Sequence, residues 1–288
     1  DLRMSRGLGD VYKRQDIPGV GKTTLAMAFS ETMALQNNRL QFTPDVMPSD
    51  LLGFSMYQKQ TGTFEYQTGA VMCNLFLGDE INRTSPKTQS ALLEVMEEGN
   101  VTVDGVTRKV PEPFVVIATE NPAGSVGTQL LPESQLDRFM ICTSLGYPSL
   151  ENEIAIVKGR QVQDDKAVLQ PVINAEQLLY CKKLVEQIYM ADDIYRYLCE
   201  LCQTTRTNAL IELGVSPRGS VALMRISKAI AFLHGRDYVI PGDIDEIFLD
   251  VAAHRIVRSA KAKAAKKSAE SILIEVMQNV KKPTAARR

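Results

Sequence analysis

Residues 16–26 read DIPGVGKTTLA, and this stretch decides the fold. It approximates the phosphate-loop pattern G-x-x-x-x-G-K-[ST], with Gly21, Lys22 and Thr23 in register and Asp16 in place of the first glycine. In such a loop Gly19 and Gly21, with Val20 between them, turn backbone N–H groups toward phosphate oxygens. Lys22 reaches the β- and γ-phosphates, and the Thr23 hydroxyl holds Mg²⁺. A helix opening at Thr24 adds its positive N-terminal end. The plain alternative is an ordinary glycine turn before a helix. Such loops follow a buried strand, yet residues 7–15, GLGDVYKRQ, show no strand pattern.

Further along, LFLGDE places Asp79 and Glu80 at the end of an apolar run. The first acid of such a pair contacts Mg²⁺, and the second polarises an attacking water. Adjacent acids also cap turns, so the pair decides little alone. A phosphate loop followed by strand, Asp and Glu at this separation points to ATP hydrolysis. A kinase built on the same loop has no need of Glu80 as a water-activating base.

Three further residues carry candidate chemistry. Asn121 in IATENP follows an apolar strand and is placed to orient water; a turn-forming Asn before Pro122 is the alternative. Arg138 in LDRF ends a short helical stretch and is suited to offset γ-phosphate charge across a subunit boundary. Its alternative is a salt bridge to Asp137 or a nearby acid. In GVSPRGS, Ser216 and Pro217 predict a helix start, which puts Arg218 in the first turn. The helix dipole disfavours a cation there, so Arg218 is read as having another task, such as touching phosphate.

Around these residues the pattern alternates. Helical spacing runs over 24–36, RLQFT is a short strand candidate, and aromatic and polar residues alternate about Thr61-Gly62 as in a hairpin. KTQSALLEVMEEG is an amphipathic helix stopped by Gly99, and NVTVDGVTRKV is a second hairpin turning at Asp104-Gly105. FVVIATEN is a buried strand, and LPESQLDRFMI is a short helix running into a strand. Strands alternating with helices argue for a parallel sheet with covering helices. From about Tyr147-Pro148 onward the periodicity is nearly all helical, so an α/β domain over 16–147 and an all-α lid domain over 148–288 are expected.

Composition narrows the partners. The 288 residues carry a formal net charge of −1, which gives no global pull toward nucleic acid or an anionic membrane. The cluster Arg258, Lys261, Lys263, Lys266 and Lys267 spreads around a helix and reads as a solvated face. No apolar run approaches the roughly 18 residues of a spanning helix, and no signal peptide precedes the loop. A cytoplasmic location is the default. The five cysteines read as buried thiols; Cys199 and Cys202 form a CxxC without a second ligand pair. His234 and His254 read as structural.

Together the stretches DIPGVGKTTLA, QFTPDVMPSDLLG, GDEINRTSPKTQSALLEVMEEGNVTVDG, VIATENP, LPESQLDRF and GVSPRGSVALMRISKAIAFLHGRDYVIPGDI resemble the AAA+ ATPases, specifically the MoxR family. The resemblance runs from Asp16 to about Pro283, and Asp16 in place of glycine occurs in that family. It implies an AAA+ P-loop domain with a parallel sheet, followed by a helical lid, with ATP lying between the two. Lys22 and Thr23 match Walker A, with Gly19, Val20, Gly21 and Thr24 beside them, and Asp79 and Glu80 match Walker B. Asn121 matches sensor 1, Arg138 the arginine finger and Arg218 sensor 2. The hairpins near 54–70 and 100–113 look like the helix-2 insert and the pre-sensor-1 insertion.

The resemblance also implies ATP and Mg²⁺ as cofactors, a homo-hexameric ring, and chaperone-like remodelling of partners that often carry von Willebrand factor A domains. Two other functions stay open: a nucleotide-dependent scaffold with little turnover, and a DNA-acting AAA+ relative. The neutral charge argues against nucleic acid, and the intact Glu80, Asn121 and Arg138 favour hydrolysis. Residues 1–15 do not fit the family, which has an apolar strand before Asp16. They look like foreign, translated adapter sequence replacing that strand, and the chain as written is expected to express poorly or aggregate.

Overall fold

The computed structural model describes residues 22–120, 131–143, 147–159 and 169–283. The chain begins there with helix α1 (Lys22–Thr32), strand β1 (Asn37–Gln41) and the short helix α2 (Pro48–Leu52). A hairpin, β2 (Gly53–Gln58) and β3 (Thr63–Thr68), leads to β4 (Leu75–Asp79), helix α3 (Pro86–Glu98), a second hairpin, β5 (Asn100–Val103) and β6 (Val106–Lys109), and β7 (Val115–Ala118). Helices α4 (Glu133–Leu136), α5 (Leu150–Gly159), α6 (Ala175–Gln187) and α7 (Asp192–Thr207) follow. The remainder is β8 (Ile211–Leu213), α8 (Pro217–Leu233), α9 (Pro241–Ala252), β9 (Val257–Arg258), α10 (Ala260–Ala264) and α11 (Ala269–Asn279).

The first unit is built on a parallel sheet in the order β1-β4-β7. Every residue of β4 and β7 is buried. Their near-continuous apolar runs, LFLGD and VVIA, are what a parallel strand covered on both faces requires. Phe42, Phe76, Leu92, Leu93, Met96 and Phe114 complete the core around them. Helix α3 forms where the sequence predicts it. Ser85 caps it by accepting the Thr88 N–H at 3.2 Å, and Gly99, at φ 67°, ends it with its N–H on the Val95 carbonyl. Both expected hairpins are present, the second turning through Asp104 (φ 52°) and Gly105 (φ 75°).

The chain divides into two units, Asp1–Leu130 with Thr143–Leu178, and Leu131–Cys142 with Leu179–Arg288. A single cut near Tyr147-Pro148, as the periodicity suggests, does not describe this division. Residues just past the break return to the first unit, where the Val172 and Ile173 N–H groups donate to the Thr32 carbonyl at 2.7 and 3.3 Å. The segment Leu131–Cys142 belongs to the second unit because Met140 joins the helical core and the Cys142 N–H donates to the Asp250 carbonyl at 2.8 Å.

Two further expectations are corrected. The LPESQLDRFMI stretch forms α4 but no strand follows it among the described residues, because its backbone groups are taken by the helical unit. The second unit is also not wholly helical. Strands β8 and β9 pair antiparallel, in runs of three and two residues too short to register as a period. Its core gathers Tyr197, Leu201, Leu223, Phe248, Ile272 and Val276.

Candidate active site

Asp79 closes β4 and is 7% exposed. Strand register sets Gln41 of β1 opposite it, and Arg39, two residues back on the same face, places its Nε 2.7 Å from Asp79 Oδ2. From the other side, the Thr119 hydroxyl, just past β7, donates to Asp79 Oδ1 at 3.3 Å. Hard carboxylate oxygens are the donors Mg²⁺ requires, so Asp79 fits that ion.

Glu80 adopts a left-handed backbone, φ 60° and ψ 46°. For a residue other than glycine this costs about 1–3 kcal/mol and persists only where the surroundings over-determine it. Here they do. The Glu80 N–H donates to Thr119 Oγ1 at 3.0 Å, and the next N–H, of Ile81, donates to the Thr119 carbonyl at 2.9 Å. Arg83 returns from the following 3₁₀ turn to place Nη1 2.8 Å from Glu80 Oε2. The turn aims the two acids in different directions from adjacent positions, which suits one for a cation and the other for a water.

Lys22, Thr23 and Thr24 open α1, which starts two residues before the Thr24 that the sequence predicts. Gly19, Val20, Gly21 and Asn121 lie outside the described residues. Asp79 and Glu80 are brought together in the first unit. Arg138 and Arg218 are both in the second. Ser216 is the N-cap of α8 and Pro217 its first residue, so Arg218 stands exposed in the first turn, as predicted. Asp137 gives its carboxylate to Ser216 and Arg255.

Three residues escape the sequence reading, two in the first unit and one in the second. Thr119 lies two positions before Asn121 and is what ties Asp79 to Glu80. Arg39 is a cation inside a strand candidate, a signal that strand pairing alone converts into contact with Asp79. Arg255 is 5% exposed, and a buried guanidinium cannot be told from a surface one by its letter. The cysteines divide: Cys73, Cys142 and Cys202 are buried as read, but Cys181 is half-buried and Cys199 is exposed. Among the described residues no three His, Cys, Asp or Glu side chains gather as a metal cluster.

A parallel sheet with paired acids at the end of β4, and a largely helical second unit, are the features of the AAA ATPase class. Residues 14–141 match the model of the ATPase family associated with various cellular activities (AAA), and residues 203–276 match the AAA lid domain. The chain is 46% identical over 269 residues to YeaC of Bacillus subtilis, a protein described as uncharacterized, covering 93% of this chain and 84% of YeaC. It is 35% identical over 278 residues to Chaperone MoxR1 of Mycobacterium tuberculosis, covering 93% of this chain and 73% of that protein. A crystal structure of a candidate ATPase from Cytophaga hutchinsonii superposes with a TM-score of 0.89 at 34% identity, covering 96% of this chain and 87% of that one. The chain belongs to the MoxR family of AAA+ ATPases.

Proposed function

We propose that this chain binds ATP with Mg²⁺, hydrolyses it, and uses the cycle to remodel or activate partner proteins in a chaperone-like way. The observation that carries the reading is the pair Asp79 and Glu80 at the end of buried β4, fixed by Thr119. The partner-directed role is supported by the name of Chaperone MoxR1, a relative 35% identical along most of the chain.

Gly19, Val20, Gly21 and Thr24 offer backbone and helix-start donors to the phosphates, and Lys22 offsets their charge. Thr23 and Asp79 hold Mg²⁺, which when bound offsets charge on the β- and γ-phosphate oxygens. Glu80 takes a proton from the attacking water, which Asn121 orients. Arg138, supplied by a neighbouring copy in a homo-hexameric ring, offsets charge developing on the γ-phosphate, and Arg218 contacts phosphate from the lid. A partner with a von Willebrand factor A domain fits the family. No described helix is long and apolar enough to cross a membrane. The need for an ATP pool sets the proposed work in the cytoplasm.

The test is Glu80→Gln. Turnover is expected to fall about a hundredfold or more, with ATP binding held within a few-fold, because the general base is lost and the phosphate contacts are kept. Undiminished turnover, or loss of ATP binding in step with turnover, would overturn the assignment.

A further inference from the structure

The buried side chain of Arg255, just past α9, joins two segments far apart in sequence. Its Nε donates to Asp137 Oδ1 at 3.1 Å, its Nη2 to the Asp137 and Phe139 carbonyls, and its Nη1 to the Met140 carbonyl at 3.1 Å and to the Val251 carbonyl. Four of these five bonds reach residues 137–140 and the fifth reaches Val251 of α9, with Nη1 also 2.8 Å from His254 Nε2, so the guanidinium holds residues 137–140 against the end of α9. On the opposite side, the Ser216 hydroxyl lies 2.9 and 2.8 Å from the two Asp137 oxygens. Ser216 Oγ also accepts the Gly219 N–H at 3.1 Å, which caps α8. A Cβ on Gly219 would stand 2.7 Å from Arg255 Cδ and 2.6 Å from Val215 Cγ1, so glycine is what lets the first turn of α8 lie directly on the Arg255 stem.

Arg138 follows Asp137, and Arg218 precedes Gly219. The two arginines therefore stand on the two sides of one hydrogen-bonded knot. A buried ion pair is a poor stability device, since apolar side chains of equal volume serve as well; what it offers is a specified geometry. We propose that Asp137, Ser216 and Arg255 form a coupling knot that sets Arg138 and Arg218 at a fixed spacing, with Arg255 a positioning residue for ATP turnover acting through Arg138. This rests on the reading of Arg138 as a charge-offsetting group. Its consequence is directional. A displacement of Arg218 on meeting phosphate carries Arg138 with it, so the nucleotide state of one subunit is passed to the site its Arg138 serves.

Arg255→Lys keeps the charge and removes the fork. In the full chain, kcat is expected to fall about tenfold with KM within about threefold, since a displaced group costs rate rather than binding. In an Arg138→Ala background the same substitution is expected to change kcat less than about twofold, because groups acting through one another are not additive. Equal fold-losses in both backgrounds, or an undiminished kcat in folded Arg255→Lys protein, would overturn the coupling. Undiminished turnover in Arg138→Ala alone would overturn the reading of Arg138 itself and the coupling with it. If Arg255→Lys fails to fold by thermal melting, Asp137→Asn enters the same cycle with the same expected outcomes. Independently of turnover, the Phe139 and Gly219 amides are expected to exchange about tenfold faster in either variant than in the parent chain; unchanged protection at both would sink the proposal.

Discussion

The Thr119 hydroxyl accepts the Glu80 N–H at 3.0 Å and reaches Asp79 Oδ1 at 3.3 Å. One side chain just past β7 therefore fixes both acids at the end of β4, holding Asp79 by its carboxylate and Glu80 by its backbone. The division is chemically useful. Asp79 is restrained at the charged group, which on the proposed reading is where Mg²⁺ would meet it. The Glu80 carboxylate accepts from Arg83 of the following 3₁₀ turn.

Thr119→Val conserves shape and removes the hydroxyl. The left-handed turn at Glu80 then loses a support and leaves a buried N–H without its acceptor, which costs about 1–3 kcal/mol of stability. Turnover is expected to fall about ten- to a hundredfold, as misplacement of a reacting group by an ångström does, with ATP affinity within a few-fold. Thr119→Ser should restore most of the rate. Steady-state hydrolysis with parallel ATP titration checks this, and equal rates for the Val and Ser variants would count against it.

The fold was legible where one residue type allows one conformation. Gly99 ends α3, Asp104-Gly105 turns a hairpin, and unbroken apolar runs mark β4 and β7. The placement of Asp79 and Glu80 was legible from the apolar run before them, which forms β4. What supports them was not. Thr119 and Arg39 are ordinary letters in their own segments, and their roles arise from pairing across strands; in the second unit Arg255 was equally hidden, its role arising from packing between α8, α9 and the 137–140 segment. The division of the chain was hidden likewise. Periodicity reports which residues are helical but not which core they join, and Leu131–Cys142 joins the helical one.

Asp243 is the acid whose titration bears on stability. Burial alone would raise its carboxyl, but the Arg236 guanidinium and the Ile240 N–H hold it below the usual carboxylate range. A depressed folded value means stability that is fully present above the unfolded value, about 3.9, and lost as pH falls through the lower folded one. Asp243→Asn is expected to lower stability at pH 7 by about 1–3 kcal/mol, through loss of the buried carboxylate's charge-assisted bonds to the half-buried Arg236 guanidinium. The gap between variant and parent should narrow below about pH 4. Urea unfolding at pH 7, 5 and 3 measures it; a gap that widens toward acid would refute the assignment.

The cysteines should separate by reactivity, because the thiolate is the reacting species. Burial pushes the Cys73 thiol up to about 12 and raises that of Cys202 as well, while Cys199 is exposed on α7. At pH 8 a maleimide is expected to modify Cys199 first and half-buried Cys181 more slowly, leaving Cys73, Cys142 and Cys202 until the chain unfolds. Peptide mass spectrometry over a labelling time course reads the order. Modification of Cys73 at the rate of Cys199 would contradict the burial on which it rests.

Two glycines separate lack of space from backbone conformation. At Gly69 an added Cβ would lie 2.1 Å from the Leu51 carbonyl oxygen and 2.3 Å from the Gly53 nitrogen, both backbone atoms that cannot swing aside. This close approach holds the base of the β2–β3 hairpin to α2, where the Ala70 N–H donates to the Asp50 carbonyl at 2.9 Å. Gly99 has φ 67° and nothing within 4 Å, so alanine there meets only the left-handed penalty of about 1–2 kcal/mol. Gly69→Ala has to shift backbone and is expected to cost more, about 3 kcal/mol or above, in the range reserved for overpacking and broken hydrogen-bond networks. The excess should localise to the hairpin, with amide exchange rising at Ala70 and Val71 while β4 stays protected. Equilibrium unfolding of both variants decides the matter, since a Gly69→Ala cost no larger than that of Gly99→Ala would mean the α2–hairpin junction is looser than its backbone contacts require.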